Sequence, residues 1–423
     1  MWLVALKFSI LNFGLTISLR RLVAITVVAS GTFAWFFVFE NNFGFLFQNV
    51  TSNDFVVAVG NALFLGFGAF SAVIGSMLSR KVSRRKLFWS TIGLGVLATG
   101  SLLAVHGEFL ALLVSSILGI SLGLGFPSSV ALLGDYTDIE ERGRASGVLM
   151  FEAFVLAIIA SSLILLLNLG LIEVVLLCVI LRSTSLLGLT LDPLDKKKEK
   201  EKSWMSVLKD RDSSFYFIPW VIFAVAAYMI GIVFVALPNI QIYTLAENTG
   251  GVLIFVGGAV FSLISGFLAD RFGRKLPIII GVIIFVVSSV ILGLATSPLG
   301  VVIEYTTVGI AWYGFLFVAY IAVSGDLAVR HSQERYYVLF TALLLAALAA
   351  GQTYLAPIWV LPPESVLARV YSPILSVLLL LSVVSILYAS ETLSETKIRS
   401  RRMREYLQKV EKVVDESKKA DKR

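Results

Sequence analysis

The sequence contains one cysteine and two histidines in 423 residues. A single thiol builds no disulfide framework. Cys178 sits among Leu176, Leu177, Val179 and Ile180 and reads as a small buried apolar residue. His106 and His331 fall in predicted loops on opposite sides, and no His-Glu-x-x-His run occurs. Histidine-based or metal-based catalysis therefore has no supporting constellation. No Gly-x-x-x-x-Gly-Lys-Ser/Thr phosphate loop is present, which removes ATP as a driver within this chain. Neither an enzyme nor a bound cofactor or metal is expected. Charge is scarce too: 15% of residues are Asp, Glu, Lys or Arg, against about 25% in soluble domains.

What is abundant is apolar. Hydrophobic residues make up 57% of the chain and the mean hydropathy is +0.89. They come in blocks of about 20, the length of a helix that crosses a ~30 Å hydrocarbon core. Twelve spans are predicted at 22–46, 55–79, 87–105, 109–134, 145–168, 171–191, 215–241, 249–269, 276–296, 299–327, 336–358 and 366–389. They divide the chain into an interfacial or cytoplasmic segment 1–21, a six-helix bundle 22–191, a linker 192–214, a second six-helix bundle 215–389 and a charged tail 390–423. The linker begins Asp192-Pro193 and contains the run Lys196 to Lys202. The tail carries Leu393, Met403, Leu407, Val410 and Val414 at helical spacing, so it reads as an amphipathic helix.

Lys and Arg set the orientation, because cytoplasmic loops concentrate them. With the amino terminus inside, 32 of 35 Lys and Arg residues fall in inner segments. A missed or invented span would break this alternation. The expected protein is a multi-pass integral membrane protein of the cell membrane with both termini cytoplasmic. The net charge of +7 follows from that placement and carries no nucleic-acid signal.

The halves repeat each other. After helix 8 the chain reads Gly266-Phe267-Leu268-Ala269-Asp270-Arg271-Phe272-Gly273-Arg274-Lys275; after helix 2 it reads Gly75-Ser76-Met77-Leu78-Ser79-Arg80-Lys81-Val82-Ser83-Arg84-Arg85. Gly134-Asp135 ahead of Glu141-Arg142 is echoed by Gly325-Asp326 ahead of Glu334-Arg335. Duplicated six-helix halves are a transporter signature. On these residues the sequence resembles the major facilitator superfamily, whose Gly-x-Leu-Ala-Asp-Arg-x-Gly-Arg-Lys signature is similar to Gly266–Lys275. The resemblance implies an all-α membrane fold of twelve helices in two pseudo-symmetric bundles. It also implies a cytoplasmic gate motif made of Gly266, Asp270, Arg271, Gly273, Arg274, Asp135, Arg142, Asp326 and Arg335. Asp270 is expected to meet the start of helix 5 near Arg144 to Ser146, where a carboxylate faces the positive end of a helix. Two departures weaken an antiporter assignment: Ser115 stands where the family's helix-4 arginine aligns, and helix 5 lacks a Gly-Pro signature. Ser79 replaces the first-half aspartate, so that latch is expected to be weak or absent.

Charges within spans are costly and mark functional positions. Glu152 and Arg182 lie at similar depth on consecutive helices, and an ion pair is predicted, either for coupling or for structure. Trp35, Tyr228, Trp312 and Tyr313 lie near mid-depth and, with Asn239 at the outer end of helix 7, are the candidate substrate-binding residues. Aromatic rings with a polar handle suit an amphipathic solute. Glu40, Asn41 and Asn42 read as an outer vestibule, Glu304 as a wetted interface residue, and Phe33, Phe36, Phe37, Phe39 and Phe43 as lipid contacts. The expected function is secondary active transport of a small solute by alternating access, coupled to a proton gradient. The alternative is a non-transporting sensor or a lipid scramblase on the same fold. The expected partners are the lipid bilayer, a small-molecule substrate and a proton, with no nucleic acid and a monomeric state.

Overall fold

The computed structural model describes residues 15–79, 81–192, 204, 207, 209–235, 240–292, 298–328, 333–355, 366–393, 403, 406, 407 and 410. Its first half contains α1 (Leu19–Asn41), α2 (Asp54–Leu78), α3 (Arg84–Ser101), α4 (Glu108–Tyr136), α5 (Arg142–Leu167) and α6 (Leu171–Leu191). A short turn of helix, Phe43–Gln48, follows α1. The second half contains α7 (Arg211–Val235), α8 (Ile240–Phe272), α9 (Lys275–Leu292), α10, α11 and α12 (Val366–Tyr388). Helix α10 is continuous but irregular: Pro298–Val308, then Gly309–Phe317 in π geometry, then Val318–Leu327. Helix α11 runs Gln333–Ala350 and ends in a π turn, Gly351–Leu355.

Only helices, among the described residues, form the fold, as hydrocarbon requires of backbone that must satisfy its own polar groups. Nine described helices are long and apolar enough to cross a membrane, and two shorter apolar ones, Lys275–Ile291 and Pro373–Tyr388, accompany them. Helix α3 opens on Arg84-Arg85-Lys86 and falls in neither group.

Within the first half α2 packs on α4, and α1 on α5 and α6; in the second, α8 packs on α10, and α9 and α7 on α12. The halves meet through α5 against α8 and α2 against α11. Small residues permit that first contact. A methyl group at Gly266 would stand 2.5 Å from the Gly143 carbonyl, so the two backbones approach more closely than any larger side chain allows.

Helix α1 departs from expectation. Phe33, Phe36, Phe37, Phe39 and Phe43 are each at most 5% exposed, so they are core rather than lipid contacts. Position explains it: α1 lies between α5, α6 and the second half. Its Phe37 ring stands 5.5 Å from Phe154, 5.8 Å from Phe255 and 5.2 Å from Tyr313. Lipid-facing area comes from peripheral helices instead, such as α12, where Leu380, Leu381, Val384 and Leu387 are about half exposed. Of the tail, Met403, Tyr406, Leu407 and Val410 are helical and exposed.

Candidate functional site

The sequence-marked polar residues resolve into three tiers along the axis between the halves. The lowest lies at the end carrying Arg84, Arg142, Arg144 and Arg274, here called the basic side.

Asp270 closes α8 against the start of α5. Gly143 N donates to its Oδ1 at 2.8 Å, while Arg144 N and Arg144 Nε donate to its Oδ2 at 2.9 Å. The first peptide N–H groups of a helix have no intrahelical partner, so a carboxylate there satisfies real donors. Gly273, at φ +100°, turns the chain back so that Arg274 Nη1 reaches Asp270 at 2.7 Å and Arg274 Nε reaches Asp326 at 2.7 Å. Arg142 Nη1 joins Asp326 across the halves at 2.6 Å. Burial alone would lower the Arg274 pKa, but Asp326 and Asp270 more than reverse this and hold it above the ordinary guanidinium range.

The first half has its own version. Arg84 is paired with Asp135, as Arg274 is with Asp326. The latch expected to be weak at Ser79 is built differently. Glu334, at the start of α11, takes hydrogen bonds from Ser79, from Ser128 Oγ at 2.9 Å and from Arg84 Nε at 3.1 Å. The carboxylate has moved from the α2–α3 loop to the partner helix, and the bridge between halves persists. Arg271 is exposed above the Phe267 and Phe272 rings, and Arg335 lies over Trp204.

Residues that sequence reasoning missed complete the tier. After α12, Glu391 accepts from Arg274 N at 2.8 Å and Lys275 N at 3.2 Å, capping α9, and Thr392 Oγ1 donates to Asp326 Oδ2 at 3.1 Å. Before α1, Thr16 N and its hydroxyl donate to Glu141 at 2.5 and 2.9 Å. A lone Glu after the last span carries no signal of this kind in sequence.

The middle tier is aromatic. Phe33, Phe37 and Phe154 of the first half face Phe255, Tyr313 and Phe317 of the second, with cross-half centroid distances of 5.2–6.3 Å. The π segment of α10 delivers Tyr313 and Phe317 to this seam.

The upper tier is polar. Glu40 of α1 accepts from Asn61 Nδ2 of α2 at 3.5 Å. Across the seam Tyr228 of α7 donates to Gln352 Oε1 at 2.5 Å, its ring packed on Gly351 where α11 enters its π turn. All four side chains are partly exposed, and Asn61 Oδ1 is buried with no partner.

The other predicted substrate residues fall elsewhere. Trp35, 0% exposed, is stacked on Phe39 inside the first half; Trp312 is stacked between Trp220 and Phe285 inside the second. Asn239 lies outside the described residues. The expected Glu152–Arg182 ion pair is not formed. Arg182 instead donates to Thr32 Oγ1 at 2.8 Å and to the Ser121 carbonyl at 3.2 Å, and lies 4.8 Å from the Trp35 ring centroid. Glu152 lies near Thr26 of α1, whose hydroxyl donates to the Leu22 carbonyl at 3.0 Å, and Glu152 Oε2 is unpartnered. Equal depth did not bring them together because α6 turns Arg182 toward α1, α3 and α4, and α5 turns Glu152 toward the basic-side stretch of α1.

Two related six-helix bundles, bridged by ion pairs on one side and holding polar groups between them on the other, define a membrane carrier fold. The profile of the Major Facilitator Superfamily matches residues 22–352, and the chain belongs to that family. It is 32% identical over 112 residues to an arabinose-proton symporter of Bacillus subtilis (strain 168), a match spanning 25% of this chain and 24% of the symporter. Its structure resembles the crystal structure of the human organic anion transporter MFSD10 (TETRAN), with a TM-score of 0.68 and 14% identity over 87% of this chain and 99% of that one.

Proposed function

We propose that this membrane transporter carries a small, neutral, polyhydroxylated solute by alternating access, driven by a proton gradient, as a monomer in the cell membrane with both termini cytoplasmic. The observation that carries this reading is one polar pair in each half, Glu40–Asn61 and Tyr228–Gln352, where α2 packs on the Gly351–Leu355 turn, with the halves bridged on the basic side. Donors and acceptors with no fixed cation among the described residues suit hydroxyl groups rather than an organic anion. The unpartnered Asn61 Oδ1 is an acceptor waiting for such a donor. Tyr313 and its aromatic neighbours supply a floor for an apolar sugar face. The basic side is the cytoplasmic side by its Lys and Arg, so this arrangement faces the solute outward. Rocking the halves would break the basic-side pairs and give the solute its inner exit. Glu152, whose Oε2 is buried and unpartnered and which has no ion pair among the described residues, is the first half's candidate for a coupling proton.

Uptake of radiolabelled arabinose into proteoliposomes, with and without an inward proton gradient, tests the reading. Accumulation that collapses with the gradient supports it. Exchange without accumulation leaves a facilitator. Lipid movement without solute movement would favour a scramblase.

A further inference from the structure

The sequence suggests a wetted interface for Glu304, yet the side chain is 0% exposed. It lies six residues into α10, roughly 9 Å below the helix end opposite the basic side. Ser288 Oγ of α9 donates to its Oε1 at 2.8 Å. Thr307 Oγ1 lies 3.3 Å from Ser288 Oγ and 2.9 Å from the Glu304 carbonyl, so its single hydrogen serves neither carboxyl oxygen. Oε2 has no partner. The first segment of α10 packs on α8 and α9. Helix α8 from Thr249 to Ala269 and α9 beyond Lys275 contain no charged residue, and the nearest titratable group along α10 is Tyr305. Glu247 of α8 and Arg369 of α12 have side chains outside the described set.

A carboxylate so placed has one hydrogen bond and no cation among the described residues. Taking the anion out of water costs more than that bond returns, whereas the neutral acid, even with one unmade hydrogen bond, is much less costly to bury. The unpartnered Oε2 is the oxygen that would carry the hydrogen. Five residues further on begins the π segment Gly309–Phe317, which holds Tyr313 and Phe317 in the seam between the halves. Stretches of π geometry inside helices are rare and frequently sit at functional sites.

We propose that Glu304 is a proton-binding site of the second half, loaded from the face opposite the basic loops, whose proton keeps the outer part of α10 packed on α9. Loss of the proton leaves an anion that must be hydrated. Hydration requires α10 to part from Ser288, and the displacement is passed to the segment that positions Tyr313. This deepens the transport reading by naming a carrier for the driving ion, but its test involves no solute and so stands even if nothing is transported.

Infrared spectra of the purified full-length protein at neutral pH compare the wild type with Glu304→Gln, which keeps the acceptor for Ser288 and nearly the same volume. The expected difference is loss of one protonated-carboxyl carbonyl band. Loss of an ionised-carboxylate band instead would overturn the proposal. In a second arm, tryptophan fluorescence is followed as pH rises, with Trp312→Phe identifying the part that reports on α10. The Trp312 change is expected in the wild type and absent in Glu304→Gln. Its persistence in Glu304→Gln would overturn the coupling to α10. Displacement of the acid band by sodium chloride at constant pH would overturn the proton assignment in favour of a metal cation.

Discussion

Arg142 and Asp326 lie in different halves of the chain, and their side chains, 7% and 0% exposed, meet at 2.6 Å. Asp326 also takes Arg274 from the α8–α9 turn and Thr392 from beyond α12, so one carboxylate ties three segments to α5. Buried ion pairs add little net stability against an apolar alternative, because desolvation offsets most of the attraction. What they supply is a contact that water can replace when the halves separate, which packed hydrocarbon cannot do. That is the property a reversible gate needs.

Removing one partner of such a pair is expensive, because it leaves a buried charge behind. Asp326→Asn should destabilise the closed arrangement by about 3–5 kcal/mol. A double-mutant cycle on Arg142→Gln and Asp326→Asn, read by thermal unfolding in detergent, should give a coupling energy within about 0.5–3 kcal/mol. Additive losses would show that the pair is bystander chemistry.

The close approach of α5 and α8 makes its own prediction. With Gly266→Val, the first added carbon would meet the Gly143 carbonyl at 2.5 Å, so the basic side cannot close as described. In a Cys178→Ser background, a cysteine placed at Ser146, which is 0% exposed, should then react faster with a membrane-impermeant thiol reagent. An opening equilibrium shifted by ~1.4 kcal/mol raises the rate about tenfold. An unchanged rate would place the Gly143–Gly266 contact outside the gate.

Glu391 caps α9 through two peptide donors. Glu391→Ala should cost about 1 kcal/mol, the usual worth of such a cap, and lower the unfolding temperature. Glu391→Gln should recover part of the loss, since an amide oxygen still accepts. Equal losses for the two variants would show that charge, not hydrogen bonding, carries the contact.

At the polar tier, Asn61→Ala and Tyr228→Phe should each raise the KM for arabinose about tenfold, the effect of one unmade hydrogen bond, with kcat little changed. Trp35→Phe should leave KM alone and lower stability, because Trp35 is stacked inside the first half. A KM effect from Trp35→Phe larger than that from Tyr228→Phe would relocate the site.

Much of the architecture is legible in the sequence because hydrocarbon imposes length and polarity on every span. Where both sides of a boundary are described, as for α1 to α6, predicted and observed helix limits agree to within about five residues. The motif acid Asp270 is legible because a charged signature stands out between apolar runs. Faces are not. In a helix apolar all round, periodicity does not say which side meets lipid and which meets protein, so the burial of Phe33 and Phe37 is hidden. Arg182 finds a ring and hydroxyl groups rather than a carboxylate, because rotation about α6, not depth, chooses its neighbours. The environment of Glu304 is illegible because its burial comes from α9, which sequence distance does not reveal.

Rocking of the halves about the seam is the motion on which transport by this fold depends. Spin labels at Lys86 and Arg271, both exposed on the basic side and in different halves, allow the separation to be measured by double electron–electron resonance in lipid nanodiscs. A rocking carrier should show a short separation in the wild type and a second, longer one that grows when Arg142→Ala and Asp326→Ala remove the bridge. One unchanging distance in both proteins would contradict it.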